Sequence, residues 1–338
     1  MTKPRVLVLP GPTMYHTLFA PDIDRALRDF ADVTFNDRDE NWTSERLAAE
    51  IAPYDGLVTC WGSPAVTDAV LDNAPNLKVV AHAAGSVKGY IPEEVLRRGI
   101  KVSSAAAAMA PAVAECSLIL VFLGLRQIHR YDAAMHSGDP ERAWLGLPAF
   151  GMGEEIASQR IGVVGAGGVG RIFIGQLRAL HAQVMVYDPY LSDEAAAALG
   201  ATKATLEDLM RSCPIVVNHA PTTPETHHMI SAAELALLPD NAYLVNTARS
   251  WVIDQDALLK ELASGRIRAA LDVFDQEPLP LNHPFRSLPN VLLTPHIAGG
   301  TRETRYRQGA CVVRDLANAF SGQPLAHEVT LDRYAILA

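Results

Sequence analysis

The stretch Ile161-Gly162-Val163-Val164-Gly165-Ala166-Gly167-Gly168-Val169-Gly170 decides the fold. Ile161–Val164 is a short apolar run that suits a buried strand, and Val169–Leu180 reads as a helix opening directly behind the glycines. Gly165 permits the tight turn between them, Gly167 lets the backbone approach a pyrophosphate, and Gly170 lets helix and strand pack closely. Behind Gly168 and Val169 the helix N-terminus offers free N–H groups and a positive dipole end to phosphates. A strand over Gln183–Tyr187 then runs to Asp188. An acid at that point accepts hydrogen bonds from the adenine ribose hydroxyls and repels a 2′-phosphate. The loop therefore predicts NAD (NADH in the reducing direction), with NADP disfavoured.

Outward from this loop, strand-like runs alternate with helical segments. Helices are expected over Leu206–Met210, Ala232–Leu237 and Gln255–Ala263, and strands over Ile215–Asn218, Ala242–Val245, Ala269–Val273 and Val291–Leu293. This is the pattern of a doubly wound domain of about six strands. Upstream, Arg5–Leu9, Gly56–Thr59, Leu77–Ala81 and Lys101–Ser103 read as strands, with helices near Ala65–Asn73 and over Glu93–Arg98. Pro111 to about Arg126 reads as a long buried helix, with its proline in the first turn. His129 to Glu155 is looser, carrying Gly138, Pro140, Gly146, Pro148, Gly151 and Gly153, and fits a linker, a lid or an arm. The fold class is α/β, and 338 residues favour two domains over one core.

The net charge of −9 argues against nucleic acid or an anionic membrane as a partner, since either needs a basic face. It leaves room for a small anionic substrate held by a local cation. Cys60, Cys116, Cys213 and Cys311 show no C-x-x-C spacing and read as reduced thiols, with no disulfide framework or metal site, which points to the cytoplasm. Val6–Leu9 is too short for a signal-peptide core. Ala105–Leu125 is the most apolar stretch, but with Pro111 and Glu115 it reads as a core helix and not a membrane span.

Parallel sheets bind ligands outside the carboxyl ends of their strands. Just past three expected strand ends stand Arg249, Asp272 with Glu277 following, and His296. The set suits hydride transfer to a 2-keto acid. A forked guanidinium can hold carboxylate and carbonyl, and an imidazole can give the carbonyl oxygen its proton. A carboxylate behind the imidazole orients it and favours its charged form.

These stretches carry a resemblance. The chain resembles the D-isomer-specific 2-hydroxyacid dehydrogenases, in particular those that reduce glyoxylate or hydroxypyruvate. The matching stretches are Val163–Gly170, Asn246-Thr247-Ala248-Arg249, Leu271–Pro280 and Leu293–Gly299, with weaker matches at Val113-Ala114-Glu115 and His219–Thr226. The resemblance implies that Arg249 binds substrate, Glu277 partners the histidine, and His296 is the acid/base. It places Asp272 near the nicotinamide carboxamide, and His219, Ala220, Pro221, Thr226, Thr247, Ala248, Arg249, His296 and Gly299 around the cofactor. It makes Ala84, Gly85 and Ser86 a loop offering backbone N–H groups to the substrate carboxylate. It also implies a Rossmann NAD-binding domain, residues 109–298, inserted into a discontinuous flavodoxin-like substrate domain, residues 1–108 plus 299–338. A homodimer whose domains close over substrate is expected.

The chain departs from that family at several points. Met109 stands where an asparagine is common, and Ser250-Trp251 replace the usual glycine and its neighbour. Gly85-Ser86-Val87-Lys88 lacks a common Val-Asp pair. The chemistry is expected to carry over and the substrate preference is not. Formate-oxidising relatives carry glutamine where Glu277 stands, which argues against formate. Phosphite oxidation on the same scaffold, or a non-catalytic NAD-sensing corepressor, are the alternatives. The remaining histidines, His82 and His219 among them, show no metal-ligand spacing and read as solvated or hydrogen-bonded; Arg302, Arg305 and Arg307 read as a solvated helix face.

Overall fold

The computed structural model describes residues 2–137 and 152–334. Gly138, Pro140, Gly146, Pro148 and Gly151, singled out above, lie outside the described residues. The chain divides into two compact units, Met1–Ala110 with Gly300–Ala338, and Pro111–Gly299.

The first unit is built on β1 (Arg5–Val8), β2 (Asp32–Phe35), β3 (Gly56–Thr59), β4 (Val79–His82) and β5 (Lys101–Ser104). They are mutually parallel in the order β2-β1-β3-β4-β5, and the C-terminal strand Glu328–Val329 adds antiparallel to β5. This is the flavodoxin-like order, which reverses between β1 and β3. Leu7, Leu57, Val80 and Val102 pack on one face, and Val6, Val8, Val58, Val79 and Ala81 on the other. Burial on both faces explains why these strands read as unbroken apolar runs. Edge strand β2 escaped the sequence reading because it is largely exposed and carries no such run. The helices Pro12–Leu18 and Pro21–Phe30, each with proline in its first turn, were also not expected. The long helix Arg302–Phe320 is capped by Thr301, whose Oγ1 accepts from the Thr304 N–H at 3.1 Å.

Among the described residues the second unit has seven parallel strands, one more than expected: β6 (Arg160–Val164), β7 (Gln183–Tyr187), β8 (Thr202–Lys203), β9 (Ile215–Asn218), β10 (Tyr243–Asn246), β11 (Arg268–Leu271) and β12 (Val291–Leu293). Their order is β12-β11-β10-β9-β6-β7-β8, the doubly wound Rossmann arrangement. The extra strand is β8, two residues long and too short to leave a hydrophobic period. The helix Ala110–Arg126 buries Ala114, Leu120, Val121 and Leu125 in the core around Ile161, Val163 and Tyr243. A Cβ on its Gly124 would lie 2.1 Å from the Tyr243 ring, so glycine permits that close approach. The stretch Ala105–Arg126 is long and apolar enough to cross a membrane by length and composition alone. The start of the stretch expected to be loose, from His129, falls within a helix, Ile128–His136.

Candidate active site

In the second unit the strand order reverses between β6 and β9, and the loops leaving these strands meet there. Gly165 has φ +93°, and a Cβ on it would sit 2.8 Å from the Ala220 nitrogen and the His219 carbonyl carbon. A Cβ on Gly170 would fall 2.1 Å from the Gly165 oxygen. Gly167 differs: it is the N-cap of the helix Gly168–Ala179, makes no side-chain cap, and has no atom within 4 Å of a Cβ position. Two glycines thus allow chain-to-chain packing, and the third leaves open space beside the uncapped N–H groups of Gly168 and Val169. That combination fits a dinucleotide pyrophosphate. Asp188, at the end of β7, accepts from Ala166 N at 2.7 Å and from Tyr190 N at 2.9 Å. A carboxylate has about four acceptor positions, so capacity remains for ribose hydroxyls.

Two buried asparagines that the sequence reading passed over brace the neighbouring loops. Asn218 and Asn246 are register partners at the ends of β9 and β10. Asn218 Nδ2 donates to Asn246 Oδ1 at 3.1 Å, and Asn218 Oδ1 accepts from Ala220 N at 3.1 Å. Asn246 in turn accepts from Ala248 N at 3.1 Å and donates to the Arg249 carbonyl at 3.0 Å. Their signal was visible: both strands are apolar runs that end in Val-Asn. Thr247 is tied by a 2.7 Å hydrogen bond to Ser117. Arg249 itself is half-buried, with one side-chain hydrogen bond among the described residues, Nη1 to the Ala248 carbonyl at 2.7 Å. Burial lowers its pKa, opposed by the nearby Glu277 carboxylate.

Asp272 is fully buried, and its carboxylate accepts from Thr294 Oγ1 (2.6 Å), Ile297 N (2.9 Å) and Ala298 N (2.9 Å). Its backbone carbonyl accepts from His296 N at 2.8 Å. Asp272 is therefore the anchor of the histidine loop. His296 sits at φ +53°, a left-handed conformation unfavourable for a non-glycine residue, which these bonds hold in place. Its Nδ1 lies 2.6 Å from Glu277 Oε2, while Glu277 Oε1 accepts from Phe274 N at 2.9 Å. The carboxylate is thus clamped from behind, and Nε2 is the ring nitrogen left for another partner. A cleft of about 550 Å³ opens at the pair, lined also by Phe274, Leu279, Leu293, Pro295 and Arg286.

His219 is not solvated or hydrogen-bonded as the sequence suggested. Both ring nitrogens are buried without a partner among the described residues, the ring meets Phe173 edge-on, and burial pushes its pKa down to about 3. Thr226 Oγ1 accepts from Thr223 N at 2.9 Å and donates to the Pro221 carbonyl at 2.7 Å, which closes that loop on itself. Trp251 donates to the Thr223 carbonyl at 3.0 Å and packs on His227, which explains how a bulky residue is accommodated after Ser250. Gly299 is buried and ends this unit. In the first unit, the loop Ala84-Gly85-Ser86 follows β4, and Ser104 Oγ donates to the Gly85 carbonyl at 3.1 Å. Met109 Sδ lies 3.4 Å from the Cβ position of Gly85, an apolar neighbour to that loop.

Residues 118–298 match the family described as D-isomer specific 2-hydroxyacid dehydrogenase, NAD binding domain. The chain belongs to this family. It is an oxidoreductase with a nicotinamide-cofactor domain, of a family that acts on small 2-keto and 2-hydroxy acids. It is 34% identical to a glyoxylate reductase of Thermofilum pendens over 92% of each chain. It is 32% identical to a D-3-phosphoglycerate dehydrogenase of Archaeoglobus fulgidus over 85% of this chain and 53% of that one. The D-mandelate dehydrogenase structure from Rhodotorula graminis superposes with a TM-score of 0.86 at 25% identity, covering 97% of this chain and 98% of that one. These relatives are named for three different acids, so membership leaves the substrate open.

Proposed function

We propose that the protein reduces a small 2-keto acid, glyoxylate or hydroxypyruvate, with NADH. The observation that carries this reading is the 2.6 Å contact between Glu277 Oε2 and His296 Nδ1, with Nε2 left over. Nε2 gives a proton to the substrate's carbonyl oxygen, Glu277 stabilises the charged imidazole and fixes its orientation, and Asp272 holds the loop that carries it. Arg249 uses its Nε/Nη2 edge, unbonded among the described residues, to take the substrate carboxylate as a fork. The bound nicotinamide supplies the hydride. Asp188 at the end of β7 supports NAD over NADP, because its charge repels a 2′-phosphate.

The unit formed from both chain ends is the substrate domain in this reading, with Ala84-Gly85-Ser86 offering backbone N–H groups to the acid. Four unpaired cysteines suit a reducing compartment such as the cytoplasm. A homodimer is the expectation that the family resemblance carries, and analytical ultracentrifugation tests it. The enzymatic test is a panel of 2-keto acids with NADH and with NADPH. Turnover of glyoxylate or hydroxypyruvate, faster with NADH, is expected. Tight NADH binding without turnover of any acid in the panel would overturn the reading.

A further inference from the structure

Two of the arginines that the sequence placed on a solvated helix face are engaged within the first unit. The Arg305 guanidinium stands 4.2 Å from the centre of the Trp61 ring, and Arg307 Nε donates to the Ala108 carbonyl at 3.1 Å. Cations with fewer partners gather in the second unit instead. Arg160, Arg178 and His181, all exposed, line one cleft of about 600 Å³ together with Ala182, Val184 and Met185. No carboxylate among the described residues lines it. The cleft lies at the amino ends of β6 and β7, where Arg160 and Gln183 are register partners. It is therefore on the edge of the sheet opposite the glycine loop, and it takes no part in the hydride-transfer site.

Local structure accounts for one of these three groups and leaves two. Arg178 stands in the last turn of the helix Gly168–Ala179, where the dipole favours a cation, and its Nη1 donates to the Gly200 carbonyl at 2.8 Å. Gly200 has φ +72°, and a Cβ on it would fall 2.5 Å from Arg178 Cζ, so glycine is what seats the guanidinium against the chain. His181 follows at φ +64°. Its N–H donates to the Arg178 carbonyl at 3.0 Å, and the Ala182 N–H to the Leu177 carbonyl at 3.1 Å, the pair of bonds that closes a helix on a left-handed residue. Glycine meets that conformation without strain, so the turn does not call for an imidazole. Arg160 opens β6, and its side chain has no hydrogen bond or ion pair among the described residues. Two guanidiniums on one cleft repel each other, and a chain of net charge −9 has acids enough to pair them, yet places none there. The arrangement suits an anionic guest. Arg178, held through Nη1, keeps its Nε/Nη2 edge unbonded among the described residues, and that edge takes a phosphate or carboxylate as a fork. Ala182, Val184 and Met185 offer apolar contact to a carbon body, and the volume is within the range of about 300–1,000 Å³ that small-molecule sites occupy. β6 runs from Arg160 towards the glycine loop and the next helix runs back to Arg178, so a guest in the cleft grips both elements that carry that loop.

We propose that Arg160, Arg178 and His181 form an anion site separate from the active site, which takes a small organic molecule carrying at least two phosphate or carboxylate groups. The multiple charge follows from the two guanidiniums, each of which can take one oxyanion. The test is titration calorimetry on the intact protein with pyrophosphate and with citrate at low ionic strength, in saturating NADH so that the glycine loop is already filled. Wild type, Arg160→Ala and Arg178→Ala are compared. Each alanine variant should bind at least one probe about tenfold more weakly or worse. Arg178→Ala loses the bond to Gly200; if its thermal melt shows that it does not fold, Arg160→Ala carries the test alone, because that side chain holds nothing else in place among the described residues. A preference for pyrophosphate assigns the site to a phosphate-bearing ligand and a preference for citrate to a polycarboxylate; both outcomes support the site. Absence of binding by wild type, or equal affinity in wild type and a folded alanine variant, overturns it. The readout needs no turnover, so Arg160-dependent binding in a protein inactive on every 2-keto acid would sink the proposed function and leave this site standing.

Discussion

Arg249 in the second unit and Arg305 in the first are held alike and surrounded differently. Each is half-buried, each is tethered among the described residues through Nη1 alone, at 2.7 Å to the Ala248 carbonyl and at 2.9 Å to Gln308 Oε1, and burial lowers the pKa of each. Arg249 has the Glu277 carboxylate close enough to offset that burial; Arg305 has an indole and a neutral thiol, since burial pushes Cys60 up to about 12. A tethered arginine beside an acid–imidazole pair is equipped for chemistry as well as binding, whereas a tethered arginine on an aromatic ring has part of its lost hydration offset by the indole face. The difference lies in what stands around the guanidinium and not in the guanidinium.

The largest expected effects therefore fall on the Arg249 side. His296→Ala removes the proton donor and should lower kcat by about 10²–10⁴, with NADH affinity measured by fluorescence changed little. Undiminished turnover would dissolve the contrast between the two regions. Arg249→Lys keeps the charge but loses the fork, and kcat/KM should fall by about 10²-fold, equivalent to roughly 2.7 kcal/mol. A lysine variant as efficient as wild type would show that the fork at Arg249 is not used.

A smaller effect should follow from the brace. Asn246→Ala removes bonds to Asn218, Ala248 and Arg249, leaving buried groups unsatisfied at about 1–3 kcal/mol each before relaxation. We expect about a tenfold loss of kcat/KM on steady-state assay and a lower Tm. A fall in Tm with kcat/KM intact would mean the asparagine pair supports the sheet and not the loop that presents Arg249.

Much of this was legible in the sequence, for identifiable reasons. The Gly165–Gly170 loop announced itself because close packing at Gly165 and Gly170 tolerates only glycine, a constraint written in residue type. Arg249, Glu277 and His296 could be picked out because each follows an apolar run that marks a strand end. β2 and β8 were missed because short or exposed edge strands need no apolar period. Arg305 was misread because helical spacing reports a residue's place on its own helix and says nothing about a ring brought to it from Trp61. Asn218 and Asn246 were overlooked because a polar residue at a strand end looks like the start of a loop. His219 looked solvated because its enclosure by Phe173 and the glycine loop is created only by tertiary packing.

The smallest expected effect compares the units through one histidine in each. His82 closes β4 in the first unit, with Nδ1 2.8 Å from Thr59 Oγ1, and burial lowers its pKa to about 4. His219 follows β9 in the second unit, lowered by burial to about 3. An unfolded histidine titrates near pH ~6.5. Above that pH both folded and unfolded chains hold these rings neutral, and neither contributes a pH dependence. As pH falls below it, the unfolded chain takes up protons that the folded chain refuses, so stability declines until the folded pKa is reached. Each ring can contribute a slope of up to about 1.4 kcal/mol per pH unit across that window. His82→Gln and His219→Gln should each flatten the slope of unfolding free energy between pH 4 and 6, measured by urea denaturation at a series of pH values, and the double variant should flatten it by the sum. Additivity is expected because the two rings lie in different units and share no partner. A slope unchanged in either single variant would mean that its imidazole reaches solvent, and for His219 that would also remove the sealed packing behind the glycine loop.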